Sequence, residues 1–329
     1  MSRRILKFGS SELEWVCDSK HASEGHPDEK PPLYTHEKDC FDALRNLDSQ
    51  ISRFGPLSRH NVWYDIVEHY TKCELSYKSD MLPALSGVAT QYQKMTGDRY
   101  FAGLWKSDLA RGLLWRTPHL SPDQLWVNTG KARGFRGSSR PANYRAPTWS
   151  WSSIDATYIN WDLVSDWSSI DGIVVTTELV DESKQGESCY ELLDISTDTA
   201  DLNKFGEVTG GRLSVQGPIL PAYVWGFKED TDRQDYEDNI VLESRKHNNV
   251  FIGRFDPDVT GYKPSSISIV PIIRPKESFQ ATDIEEERVL CLALEPFPGQ
   301  AGFYTRVGVA TIVSWKYFRG ISLSKIIMF

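Results

Sequence analysis

The chain has 329 residues, 40% apolar and 25% charged, which is enough to bury a large core and too apolar for intrinsic disorder. Its formal net charge of −8 excludes the basic surface of a general nucleic-acid binder. Five scattered cysteines (Cys17, Cys40, Cys73, Cys189, Cys291), odd in number and without a CxxC pair, are not a disulfide framework and suit a reducing cytoplasm. The basic start lacks the apolar core of a secretory signal, and no run approaches a membrane span.

In chain order, Arg4 to Cys17 alternates around Ile5, Phe8, Leu13 and Trp15 with Gly9-Ser10-Ser11 between, which predicts a short hairpin. Asp18 to Pro56 is polar and proline-punctuated, a loop. Three helices follow. In Ser58 to Tyr77, Trp63, Ile66, Val67 and Tyr70 form one apolar face at 3.6-residue spacing. The second starts at Ser79 as N-cap, repeats the spacing through Leu85, Val88, Ala89 and Tyr92, and ends at Gly97. The third runs from Ser107-Asp108 to Trp115. Gly130 to Pro147 is a Gly- and Arg-rich loop. Beyond Trp149, β-branched runs recur at Gly172–Val180, Cys189–Ile195, Arg212–Trp225, Asn249–Phe255, Ile267–Ile273, Arg288–Leu294, Tyr304–Val313 and Ile321–Phe329. Strands at this spacing without interleaved helices predict an antiparallel sandwich or barrel. The expected class is α+β. Residues 1–57 form a hairpin and loop, 58–147 a helical region, and 148–329 an antiparallel β domain.

Four runs have a distinctive texture: SRRILKFGSSELEWVC (Ser2–Cys17), WYDIVEHYTKCELSYKSDMLPALSGVA (Trp63–Ala89), DRYFAGLWKSDLARGLLW (Asp98–Trp115) and YRAPTWSWSSID (Tyr144–Asp155). Together with YTRVGVATI (Tyr304–Ile312), the chain resembles the C-terminal part of fungal heterokaryon-incompatibility (HET) domain proteins. In that family the stretch similar to Ser2–Cys17 closes the HET domain, to which the cell-death reaction is attributed. The blocks before it are absent here, so the resemblance implies a HET-type protein without its signalling half. Small HET-like proteins also occur in fungal natural-product clusters, where some act as cyclases, including catalysts of Diels–Alder-type ring closure.

The residues themselves offer no GxGxxG, Walker A, GxSxG or HExxH motif. No cofactor or metal is therefore expected. Cys17, His21, His26, His36 and Cys40 are the one thin metal lead, and they lack the paired spacing of structural zinc sites. Ser150, Ser152 and Ser153 have no visible histidine partner. The acid-rich stretch Lys228–Glu243 and the basic stretch Lys131–Arg145 read as solvated loops.

Two functions are expected from different classes. The first is a cofactor-independent cyclase of a hydrophobic polyene or terpenoid. Such a site needs apolar walls that hold a near-attack geometry and a donor to a conjugated carbonyl. Trp105, Trp115, Tyr144, Trp149 and Trp151 are the candidate walls, and Arg111 or Arg145 the candidate donor. Against this, Trp149-Ser150-Trp151 puts both rings on one face of a strand, where such rings most often pack a core. Asp108 and Asp155 read as helix-start and turn residues. Any specificity would lie near Tyr158, Trp161, Trp167, Tyr223 and Trp225. The second function is a non-catalytic protein-recognition module with an exposed aromatic patch.

Overall fold

The computed structural model describes residues 4–8, 13–17, 21–25, 44, 58–73, 75–117, 137–156, 158–161, 187–225, 240–244, 250–274 and 288–329. The expected strand 172–180, Trp167 and most of the histidine–cysteine lead lie outside them. The chain forms two compact units, Met1–Asn46 and Leu47–Phe329. In the first, β1 (Arg4–Phe8) and β2 (Leu13–Cys17) make the expected hairpin, and β3 (His21–Ser23) extends it into a three-stranded antiparallel sheet.

In the second unit, α1 (Ser58–Thr71) buries Trp63, Ile66 and Val67, the face its periodicity predicted. It stops six residues early. The last turn tightens, with Cys73 N–H donating to the Tyr70 carbonyl, and the Thr71 hydroxyl donates to the Glu68 carbonyl. Such side-chain bonds compete with the helical ladder. A 3-10 turn (Lys78–Asp80) precedes α2 (Met81–Thr96). Asp80 takes the N-cap position and makes no side-chain cap bond; the Ser79 hydroxyl donates to Asp80 instead of capping the helix. Gly97 closes α2 at φ 69° as expected.

The expected third helix is mostly another structure. A tight hairpin, β4 (Tyr100–Phe101) and β5 (Leu104–Trp105), leads through a 3-10 turn into one helical turn, α3 (Leu109–Gly112). Ala102 and Gly103 both take positive φ, 43° and 93°, as a two-residue hairpin turn requires. The helix cannot continue because its next carbonyls are taken. The Gly112 carbonyl accepts from Trp161, and those of Leu113 and Trp115 accept from Arg306.

The β region is an antiparallel barrel. Six strands close on themselves in the order β9 (Leu220–Trp225), β12 (Ser266–Arg274), β13 (Val289–Pro296), β14 (Phe303–Ile312), β11 (Val250–Pro257) and β10 (Ile240–Ser244), with β10 returning to β9. Bulges at Ile252 in β11, Ile272 in β12 and Val307 in β14 supply the curvature that closure needs. The closing seam depends on absent side chains. A Cβ at Gly253 would meet the Thr311 carbonyl oxygen at 2.2 Å, and one at Gly308 the Asp256 oxygen at 2.2 Å. Outside the closed ring, β15 (Leu323–Met328) joins β14 in parallel, and β8 (Val208–Pro218) and β7 (Glu191–Thr199) follow antiparallel. The short β6 (Glu187–Ser188) pairs with the end of β12.

The barrel interior holds Leu220, Leu242, Ile252, Phe255, Ile267 and Ile269, all buried. Tyr317 and Phe318, on a 3-10 turn (Trp315–Phe318) after β14, belong to the same cluster and plug one end. Val270 and Ile272, on the opposite face of β12, are also buried. Covering on both faces explains why the second half of this strand, Ile269–Ile273, reads as an unbroken apolar run.

Candidate functional site

The predicted aromatic site is a packed junction between the helical segment and the barrel. Trp115, Trp149 and Trp151 are fully buried and Trp105 nearly so. Trp149-Ser150-Trp151 is not a strand. It is a turn entering a 3-10 helix (Trp151–Ser153), whose N-cap Ser150 accepts from the Ser152 N–H. Trp115 donates its Nε1–H to the Trp149 carbonyl at 2.9 Å. Trp151 and Trp63 both donate to the Gly103 carbonyl, at 3.1 and 3.0 Å. Trp105 lies among Trp63, Tyr92 and Tyr100, with ring centroids 4.5–5.2 Å away. Tyr144, expected as a wall, is instead 56% exposed.

The expected donors are structural ties. Arg145 is buried and donates to the carbonyls of Ser152, Lys78 and Ile154 and to Asp155 at 2.8 Å. Arg111 donates to Asn61 at 2.6 Å, lies 3.5 Å from Asp108 and covers the Tyr64 ring. Asp108 is more than a helix-start charge: it is buried and accepts from the Tyr64 hydroxyl at 2.7 Å. Burial first, then Asp108, pushes the Tyr64 phenol well above its ordinary range.

Two polar centres were not visible in the sequence. Buried His60 lies 3.6 Å from Asp98, 3.8 Å from Asp108 and 3.0 Å from the Ser107 hydroxyl. The Ser107 hydroxyl donates to Asp98, so the group clasps α1 to the β4–β5 hairpin. Burial alone raises the Asp98 pKa, but hydrogen bonds from His60, Ser107 and the Arg99 N–H outweigh it and hold the carboxyl at about 2. The second centre is Arg306, fully enclosed against Trp115 with its guanidinium carbon 3.4 Å from the ring centroid. It pairs with both oxygens of Asp258, which also accepts from Arg140. Burial pulls its pKa down to about 10 against the upward pull of Asp258, so it stays charged at neutral pH. These ties occupy the polar groups of Arg145, Trp115 and Trp151, whereas Nε and Nη1 of Arg111 and the indole N–H of Trp105 and of Trp149 are buried without a hydrogen-bond partner.

Space for a ligand lies elsewhere. A cavity at the junction, between Tyr70, Met81, Ile154 and Ile159, offers about 10 Å³, the room of one water. At the plugged end of the barrel an open cleft of about 410 Å³ lies between Tyr190, Gln216, Pro218, Arg274, Trp315, Phe318, Ile321 and Leu323. Its floor is the plug: Trp315 and Phe318 have ring centroids 5.4 Å apart, and both pack on the barrel interior. Arg274, last residue of β12, holds its guanidinium carbon 5.6 Å from the Trp315 ring centroid. Burial, with a smaller contribution from Asp108, pushes the Tyr190 phenol up, so it remains a neutral donor. The volume falls in the range of small-molecule sites, and barrel mouths are favoured places for them. None of the predicted wall or donor residues lines the cleft. Of the residues expected to set specificity, Tyr158 and Trp161 are buried and Tyr223 is half-buried on β9. The available signal was the run SWKYFRG between two strands, three large aromatics in a connection that a polar turn would ordinarily make.

Among the described residues, no three His, Cys, Asp or Glu side chains converge as a metal site, and no helix is long and apolar enough to cross a membrane. Fold and site together define an α+β protein with a closed six-stranded barrel and an aromatic-lined cleft at its mouth. No protein-family model matches the chain, and no curated protein or solved structure matches it either.

Proposed function

We propose that this chain binds a hydrophobic small molecule at the barrel mouth and promotes ring closure in it without a cofactor, as a cytoplasmic relative of the fungal HET proteins. The cleft carries the proposal. The ingredients that ring closure requires are apolar walls and one or two donors. Trp315, Phe318, Ile321 and Leu323 supply the walls, and Tyr190 and Arg274 the donors. The thiols at Cys73, Cys189 and Cys291 accord with a reducing compartment.

The test is incubation of the purified chain with extract from a strain deleted for its gene, followed by mass spectrometry. A precursor that turns into an isomer of equal mass faster than in a boiled control supports the proposal, provided Trp315→Ala abolishes conversion while circular dichroism stays native. Unchanged conversion in Trp315→Ala would move the chemistry away from the cleft.

A second reading has its own observation. The cleft is open to solvent, and Leu323 at its edge is 62% exposed. That suits a recognition module that receives an apolar anchor from a protein partner. Under this reading no isomer forms, and partner capture is lost in Leu323→Asp.

A further inference from the structure

The charges at the barrel-mouth cleft are matched, and two neutral polar groups are unused. Arg274 already has a partner, stands cross-strand from Glu187 and lies over the Trp315 ring. Glu191 and Lys325 stand cross-strand on either side of Gln216, one negative and one positive. The Ser188 hydroxyl spends its hydrogen on the Tyr190 carbonyl at 3.2 Å. Tyr190 and Gln216 also line the cleft. Among the described residues nothing hydrogen-bonds the Tyr190 hydroxyl or the Gln216 carboxamide.

Both groups can donate, and neither carries charge. Tyr190 keeps its proton, because burial and then Asp108 push the phenol up. Such donors suit an uncharged oxygen. A charged head of either sign would meet a like charge in the lining, Glu191 or Arg274. A plain hydrocarbon would cover the Tyr190 hydroxyl and the Gln216 amide and leave both unpaired, which costs free energy. Trp315, Phe318, Ile321 and Leu323 take an apolar body. A neutral apolar molecule with a carbonyl oxygen meets every one of these requirements.

We infer that the substrate of the cleft carries a conjugated ketone, aldehyde or lactone carbonyl whose oxygen accepts from the Tyr190 hydroxyl, with Gln216 in support. The inference rests on the reading of the cleft as the ring-closing site and supplies the activating group of its substrate. A hydrogen bond at that oxygen stabilises the electron density that shifts onto it as the conjugated double bond meets the diene. Two carbon–carbon σ bonds form at the expense of two π bonds. No atom enters or leaves, and Tyr190 keeps its proton throughout.

The probes are β-ionone, a terpenoid enone, labelled with carbon-13 at its carbonyl, and β-ionylideneacetic acid, which carries a carboxylate on the same ring system. Each is titrated into the full chain. Cys189, which lines the cleft, reports location through protection from alkylation, read by peptide mass mapping. Isotope-edited infrared spectroscopy reads the carbonyl stretch, which falls when the oxygen accepts a hydrogen bond and which a merely structural role of Tyr190 would not move. The expected result is that the ketone protects Cys189 and binds more tightly than the acid. Tyr190→Phe raises the stretch of the bound ketone and weakens its binding about tenfold, with native circular dichroism. Gln216→Leu weakens it severalfold. An unchanged stretch and affinity in Tyr190→Phe, or tighter binding of the acid, with Cys189 protected, overturns the carbonyl inference while the cleft stands. Failure of both probes to protect Cys189 overturns the cleft reading itself.

Discussion

Replacing Gly103 by alanine attacks the junction at one atom. Gly103 sits at φ 93°, and its carbonyl accepts from both Trp63 and Trp151. A Cβ there would stand 2.4 Å from Trp151 Nε1 and 2.7 Å from Cε2. Three contributions add. Holding a non-glycine residue at positive φ costs about 1–2 kcal/mol. Forcing the buried indole aside adds about 1–3 kcal/mol. Moving it breaks the bond to the Gly103 carbonyl and strands a buried N–H, about 1–2 kcal/mol more. The sum is roughly 3–7 kcal/mol, a large share of the ~5–15 kcal/mol that stabilises a typical domain. Gly97 is the control: at φ 69° its added Cβ would meet no atom within 4 Å, so only the backbone contribution remains. Urea unfolding, followed by tryptophan fluorescence and far-UV circular dichroism, measures the difference. With a denaturant slope of about 3 kcal/mol/M, the Gly103→Ala midpoint falls by about 1–2 M and that of Gly97→Ala by about 0.3–0.7 M. Equal midpoints for the two variants would refute the argument that the turn and the indole are locked together.

Asp258→Asn leaves the Arg306 charge enclosed without its counter-ion and is expected to lower stability by about 3–5 kcal/mol, read as a fall in thermal midpoint. Two carboxylates move stability in opposite directions with pH. Asp65 is raised from 3.8 to about 6, first by burial and then by Glu68, so its neutral form suits the folded state. Its contribution is complete below the unfolded value and is lost as pH rises through about 6. Asp65→Asn therefore stabilises at pH 8 relative to wild type, by about 1 kcal/mol once partial exposure is allowed for, and has no effect at pH 3. Asp98, held at about 2, contributes above the unfolded value near 4 and loses that contribution as pH falls through 2. Asp98→Asn destabilises at pH 7, and its deficit shrinks toward pH 2; urea midpoints across that range check both.

Periodicity revealed what local physics controls. Ile66, Val67 and Trp63 on one face of α1, and the Gly97 cap, were readable because each depends on neighbours within a turn or two. Most barrel strands were readable for the same reason, although Arg212–Trp225 proved to be two strands, β8 and β9. The strand β10 was hidden at the end of an acid-rich stretch, because the burial of its Leu242 arises only from the barrel around it. The third helix was overestimated because its terminating partners, Trp161 and Arg306, lie 49 and more than 190 residues away.

Composition and pattern determined the class: an α+β chain with an antiparallel β region and tryptophans gathered at one junction. Whether those tryptophans wall a cavity or fill a core depends on how closely distant segments approach, and no spacing along the chain encodes that distance. The closed seam at Gly253 and Gly308, the enclosure of Arg306 by Asp258 and Trp115, and the cleft beside Trp315 all join residues far apart in sequence. Those contacts exist only after the barrel has closed, so only the tertiary structure could move the candidate site from the junction to the barrel mouth.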